Sequence, residues 1–79
     1  MQLQMKRMLV VMDGEGRELK AVIVEGERLR LIDRYGRWHQ GILKKVHQGD
    51  IILEEDGKQR FFLFGSIDHI ERMKRSETD

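Results

Sequence analysis

The chain has 79 residues, 39% of them hydrophobic and 37% charged, with a formal net charge of +1 and neither cysteine nor proline. One domain of this size buries only about 60% of its unfolded surface. The lack of cysteine removes disulfides and thiolate metal sites as supports, which leaves oligomerisation. The near-neutral charge names no partner for the whole molecule, and no apolar run approaches the roughly 18 residues of a membrane span. The expected setting is the cytoplasm, with no membrane contact.

The segment Lys6 to Met12 is a candidate strand, followed by a turn at Asp13-Gly-Glu-Gly16 and a returning strand from Arg17 to Glu25. A helix over Met1 to Val11 is the alternative, since Leu3, Arg7 and Val10-Val11 can share a stripe. The β-branched pair favours the hairpin. Lys6-Arg7 interrupts the apolar start, which therefore lacks a signal-peptide layout. After Gly26, Arg28-Leu29-Arg30-Leu31 alternates strictly, placing leucines inward and arginines outward.

The organising stretch is Arg34 to Leu53. It opens on a Tyr35-Gly36 turn, runs through a long strand with Gly41 inside it, turns at Gln48-Gly49-Asp50 and returns through Ile51-Ile52-Leu53. A glycine within a strand marks a bulge or a sharp bend. Ile51 to Glu55, an Asp56-Gly57 turn and Lys58 to Phe64 form a further hairpin. Phe61, Phe62, Leu63 and Phe64 cannot all face one core. Ile67, Ile70 and Met73 recur every third residue, which predicts a single helical turn or a short irregular strand. Met73 to Asp79 is polar and expected to fray.

The eight glycines fall about ten residues apart, the rhythm of short strands joined by tight turns. The expected fold is all-β. It is a small, strongly bent barrel over residues 26–73, preceded by a hairpin or helix over 1–25 and followed by a tail over 74–79.

Chemistry-bearing patterns are few. Asp13-Gly-Glu-Gly16 lacks the Lys and Ser/Thr of a phosphate loop. The residues Glu54-Glu55-Asp56 alternate in direction along a strand and do not converge on a cation. His39, His47 and His69 are not spaced as metal ligands. Ser66, Asp68 and His69 are sequence neighbours, which seldom meet as a triad. No enzymatic activity, metal or cofactor is expected. From Glu27 to His47, six basic residues stand against two acidic ones, a local balance of +4, with Tyr35, Trp38 and His39 among them. Basic groups neutralise phosphates and aromatic faces stack on unpaired bases. A solvated strand face, with Trp38 half buried in a subunit contact, would read the same way.

Leu29, Leu31, Gly36-Arg37, Gly41, Leu43, Val46 and Ile51-Ile52-Leu53 resemble the first motif of the Sm and LSm family, including bacterial Hfq. Phe61 to Ile70, with Gly65 after a strand, resembles the second. The likeness spans about Gly26 to Ile70. It implies a small, strongly bent five-stranded SH3-like or Sm-like barrel that assembles into an oligomeric ring and binds single-stranded RNA. The chain departs from the family in having His47 where Asp is usual, no Asn near Asp50 to grip a uracil, Gly49 where Hfq places an aromatic, and Leu63-Phe64-Gly65 in place of Arg-Gly or Lys-His. Its candidate RNA contacts are Arg34, Tyr35, Arg37, Trp38, Lys44, Lys45, His47 and Gln48. Lys44 and Lys45 serve as phosphate contacts, and Tyr35 or Trp38 as a stacking platform. The competing expectation is a protein-interaction or assembly barrel without nucleic-acid binding. Ring closure is expected through the Ile51–Glu55 and Lys58–Phe64 regions of neighbouring subunits.

Overall fold

A computed structural model describes residues 7–13 and 15–73. The expectations for residues 1–6 and for the tail at 74–79 lie outside these residues. The described chain is all-β, with strands β1 (Met8–Met12), β2 (Leu19–Val24), β3 (Arg28–Asp33), β4 (Trp38–Val46), β5 (Asp50–Glu55), β6 (Lys58–Leu63) and β7 (Ile67–Arg72), and one 3-10 turn at Phe64–Ser66. The strand half of the N-terminal alternative holds over the described residues, because β1 and β2 form an antiparallel hairpin with Leu9 opposite Ile23.

The other five strands make one antiparallel sheet in the order β6-β5-β4-β3-β7. Hydrogen bonding does not close it into a barrel, and β6 and β7 remain at its two edges. The strand Ile51–Glu55, expected at a subunit boundary, instead lies inside the sheet, with β4 on one side and β6 on the other.

Turn chemistry sets the hairpins. Asp56 and Gly57 both take positive φ, 52° and 78°. That is the demand of a two-residue turn whose twist matches its strands, and Asp-Gly meets it. Gly41 is required for a different reason: a Cβ there would overlap the carbonyl oxygen of Glu54. The neighbouring strand therefore passes too close to β4 at this point to admit any side chain.

The core draws one residue pair after another from the inner face: Leu29, Leu31, Leu43, Ile51 and Leu53, joined by Val46 and Phe62. Leu9 and Ile23 of the hairpin cover it, so the hairpin is part of the same core. Of the four residues Phe61 to Phe64, only Phe62 is buried. Glu25 fastens the hairpin to β4. Its carboxylate accepts the backbone N–H of Val46 at 2.9 Å and that of Arg7 at 3.3 Å. These donors, the Val46 amide first, hold its pKa below the usual carboxylate value, and the charges of Lys45 and Arg7 add to them.

Two irregularities shape the sheet. In β4, Leu43 pairs with Leu53 and Lys45 with Ile52, so Lys44 is an extra residue. In β7, His69 pairs with Ile32 and Ile67 with Asp33, so Asp68 is extra. The C-terminal segment is thus a sheet strand carrying a bulge, which is the irregular strand of the two alternatives its three-residue spacing allowed.

Candidate nucleic-acid interface

Strand β3 points Leu29, Leu31 and Asp33 inward, and Arg28, Arg30 and Ile32 outward. Arg30 pairs with Gln40 and Ile32 with Trp38 across the β3–β4 hairpin. Arg30 and Trp38 are therefore diagonal neighbours on the outer face. The Arg30 guanidinium lies over the Trp38 ring, 4.7 Å from its centroid. In the turn, the Arg37 guanidinium lies 5.3 Å from the centroid of Tyr35. Both rings stay largely in solvent, Trp38 at 55% and Tyr35 at 72% exposure.

Asp33 builds the turn that presents them. Oδ1 accepts the backbone N–H of Tyr35 and of Arg37, each at 2.9 Å. Oδ2 faces His39 Nε2 at 3.1 Å and Arg37 Nε at 3.3 Å. The Arg37 amide, followed by His39, the Tyr35 amide and the Arg37 charge, lowers the Asp33 pKa from 3.8 to about 2 against the opposing effect of desolvation. His39 continues the chain of contacts inward, with Nδ1 3.4 Å from Glu55 Oε1 and its ring edge-on to Phe62 at 4.9 Å. Arg60 Nε reaches the same Glu55 oxygen at 2.9 Å. Arg30, Trp38, His39, Gln40 and Glu55 line a small open cleft of about 360 Å³ beside the tryptophan.

The eight candidate contacts do not form one site. Arg34, Tyr35, Arg37 and Trp38 gather at the β3–β4 turn, whereas Lys44, Lys45, His47 and Gln48 sit at the other end of β4. Eight residue steps of extended strand separate Trp38 from Val46, about 25 Å. The second group owes its exposure to the bulge. Without Lys44 as an extra residue, adjacent lysines would point to opposite faces, yet both are exposed.

The local excess of positive charge is offset in space. Glu71 of β7 holds Arg30 through two contacts, to Nε and Nη2, and the His69 and Arg30 hydrogen bonds lower its pKa. Lys44 lies 3.4 Å from Glu54, His47 lies 3.4 Å from Asp50, and Lys45 is close enough to Glu25 to stabilise its charge. Among the described residues, no ion pair is found for Arg28 or Arg34.

Arg30 and Gln40 were missed as contributors. Their signal was available, since a hairpin turning at 34–37 sets the register that places Arg30 diagonal to Trp38. The neutralising acids gave no local signal because they come from other strands. The remaining polar triad is not assembled: Ser66 Oγ donates to the Leu63 carbonyl at 2.8 Å and His69 faces Glu71. Among the described residues no group of His, Asp and Glu side chains is placed to hold a metal, and no helix is long and apolar enough to cross a membrane. No protein-family model, curated protein or solved structure matches the chain.

Proposed function

We propose that the chain is an Sm-like RNA-binding protein that works as an oligomeric ring, with the β3–β4 turn as its contact for single-stranded RNA. The observation that carries this reading is the pair of exposed aromatic rings, Trp38 and Tyr35, each with a guanidinium over it. An aromatic face accepts any base by stacking, and arginine adds a cation for the neighbouring phosphate. The strand order and the close packing of β5 over Gly41 support a small barrel-like sheet of the Sm or SH3 kind, while the N-terminal hairpin stands where that family usually has a helix. The two open edges support self-association, because an exposed edge invites another strand.

Titrating the folded protein with oligo-U and oligo-A at low salt tests the reading through Trp38 fluorescence. Quenching with both is expected, since stacking is tolerant of sequence. Trp38→Ala should cost about 1–3 kcal/mol in single-strand affinity, with duplex binding less affected. Absence of quenching and of gel retardation at tens of micromolar RNA would remove the RNA function. A protein-assembly barrel without nucleic acid would then stand. That second reading is favoured by the exposed apolar residues Phe61 and Leu63 on β6 and Met8, Val10 and Met12 on β1.

A further inference from the structure

The strand β4 is flanked unevenly. On one side β3 pairs with each of residues 38–42, but on the other the β5 ladder ends where Ile42 meets Glu54. Residues 38–41 therefore have a strand along one edge only. The cleft beside Trp38 lies where the second neighbour is missing, with Trp38, His39 and Gln40 on one wall and Glu55, at the end of β5, on the other. Its volume of about 360 Å³ falls within the range of small-ligand clefts, about 300–1,000 Å³.

Three kinds of group meet there. The Trp38 ring is 55% exposed even with the Arg30 guanidinium over one face. Gln40, two residues along the same side of the strand, offers an exposed side-chain amide. Glu55 offers a carboxylate on which Arg60 Nε, at 2.9 Å, and His39 Nδ1, at 3.4 Å, both address Oε1. No buried side-chain oxygen is left without a partner among the described residues, so Oε2, which takes none, opens on solvent. An acceptor on a side chain only 19% exposed and held by an arginine has a fixed position. The four RNA bases meet such an acceptor differently. Guanine alone carries two adjacent donors on its pairing edge, N1–H and N2–H, with the O6 acceptor beside them. Uracil presents one donor between two carbonyl oxygens, which a carboxylate repels. Adenine and cytosine present one amino group next to an acceptor nitrogen.

We infer that the cleft beside Trp38 takes a guanine of single-stranded RNA: the base stacks at Trp38, Glu55 accepts from N1–H and N2–H, and the Gln40 amide donates to O6. The inference rests on the RNA-binding reading and gives it a preferred base. Stacking supplies affinity for any base, and hydrogen bonds to the pairing edge choose among them.

Fluorescence of Trp38, the one tryptophan of the chain, tests it at low salt with the short strands UUGUU, UUAUU, UUCUU and UUUUU. The wild-type chain should bind UUGUU about tenfold more tightly than the others, the scale of one well-paired base edge. Inosine lacks the N2 amino group, so UUIUU should lose most of that advantage. Glu55→Ala should bring UUGUU level with UUAUU, whatever its effect on overall affinity, while keeping the far-UV spectrum of the wild type. GMP alone should bind more weakly than UUGUU, because the phosphates of a strand are then missing from Arg34 and Arg37. Binding of none of the strands would overturn this inference together with the RNA reading. Equal binding of all four would overturn the inference and leave that reading standing. A preference that survives in UUIUU or in Glu55→Ala would overturn the cleft as the site of guanine recognition. GMP as tight as UUGUU would overturn single-stranded RNA as the source of the base. Should Glu55→Ala unfold the chain, Glu55→Gln, which exchanges one acceptor for a donor, gives the same comparison.

Discussion

Asp33 is the residue on which the candidate interface depends most directly. Leu29, Leu31 and Asp33 occupy the same inward positions of β3, so an alternation that buries leucines also buries a carboxylate. Two backbone amides and the side chains of His39 and Arg37 stabilise its charge there. Its pKa is lowered from 3.8 to about 2, which means the folded state favours the ionised form. The stabilisation is therefore complete above the unfolded value and is lost as pH falls through about 2. Asp33→Asn should lower the urea midpoint by a margin that is constant from about pH 7 to about pH 5 and shrinks below that. A margin unchanged down to the acid limit would show that the charge of Asp33 contributes nothing. Gly41 gives a steric counterpart. Gly41→Val places a branched side chain against the Glu54 carbonyl. Overpacking of this kind costs roughly 1–3 kcal/mol or more, and each kcal/mol lowers Tm by about 4–8 °C in a domain of this size. An unchanged Tm would exclude the close approach.

The strands that were legible from the sequence are those bounded by turn residues. Asp56-Gly57 fixes β5 and β6, and the alternation of Arg28 to Leu31 fixes the inward face of β3. The bulges are what left the end of the chain open between a helical turn and an irregular strand. Leu43 and Val46 are both buried at a spacing of three because Lys44 is extra, and Ile67 and Ile70 face the core at the same spacing because Asp68 is extra. A three-residue apolar spacing is also the sign of a helical turn, and the sequence holds nothing to separate the two, since the bulge is defined by the partner strand. The candidate interface was legible at its aromatic end, where turn and strand are local. It was illegible where Glu71 and Glu54 reach the basic residues from other strands. The hairpin carries its own prediction. Ile23 is fully buried and belongs to the core of the sheet. Ile23→Ala should therefore cost about 2–5 kcal/mol in one cooperative transition. A hairpin that melts separately, with the sheet unaffected, would show that it is an appendage.

For the molecule as a whole, stability and assembly are expected to be linked. Among the described residues the buried hydrophobic core consists of nine residues from strands that are short, while Phe61, Leu63, Met8, Val10 and Met12 remain in solvent. A domain of this size sits near the limit of what a single core can stabilise, and no disulfide adds to it. If a second copy covers the apolar residues of β6, association adds burial that the unfolded chain cannot offer, at about 25 cal/mol for each Å² of apolar surface removed from water. Anything that binds the folded state alone raises apparent stability by mass action, so Tm must then depend on protein concentration. Differential scanning fluorimetry across a roughly hundredfold concentration range should show Tm rising with concentration for the wild type. Phe61→Asp with Leu63→Asp should melt at one temperature throughout, below the wild type at high concentration and converging with it on dilution. A wild-type Tm independent of concentration would mean that the sheet is stable alone and its open edges are tolerated. Convergence of the two chains at the dilute end would show that the substituted residues act through the interface and not through the core, where Phe62 alone of the β6 side chains is buried.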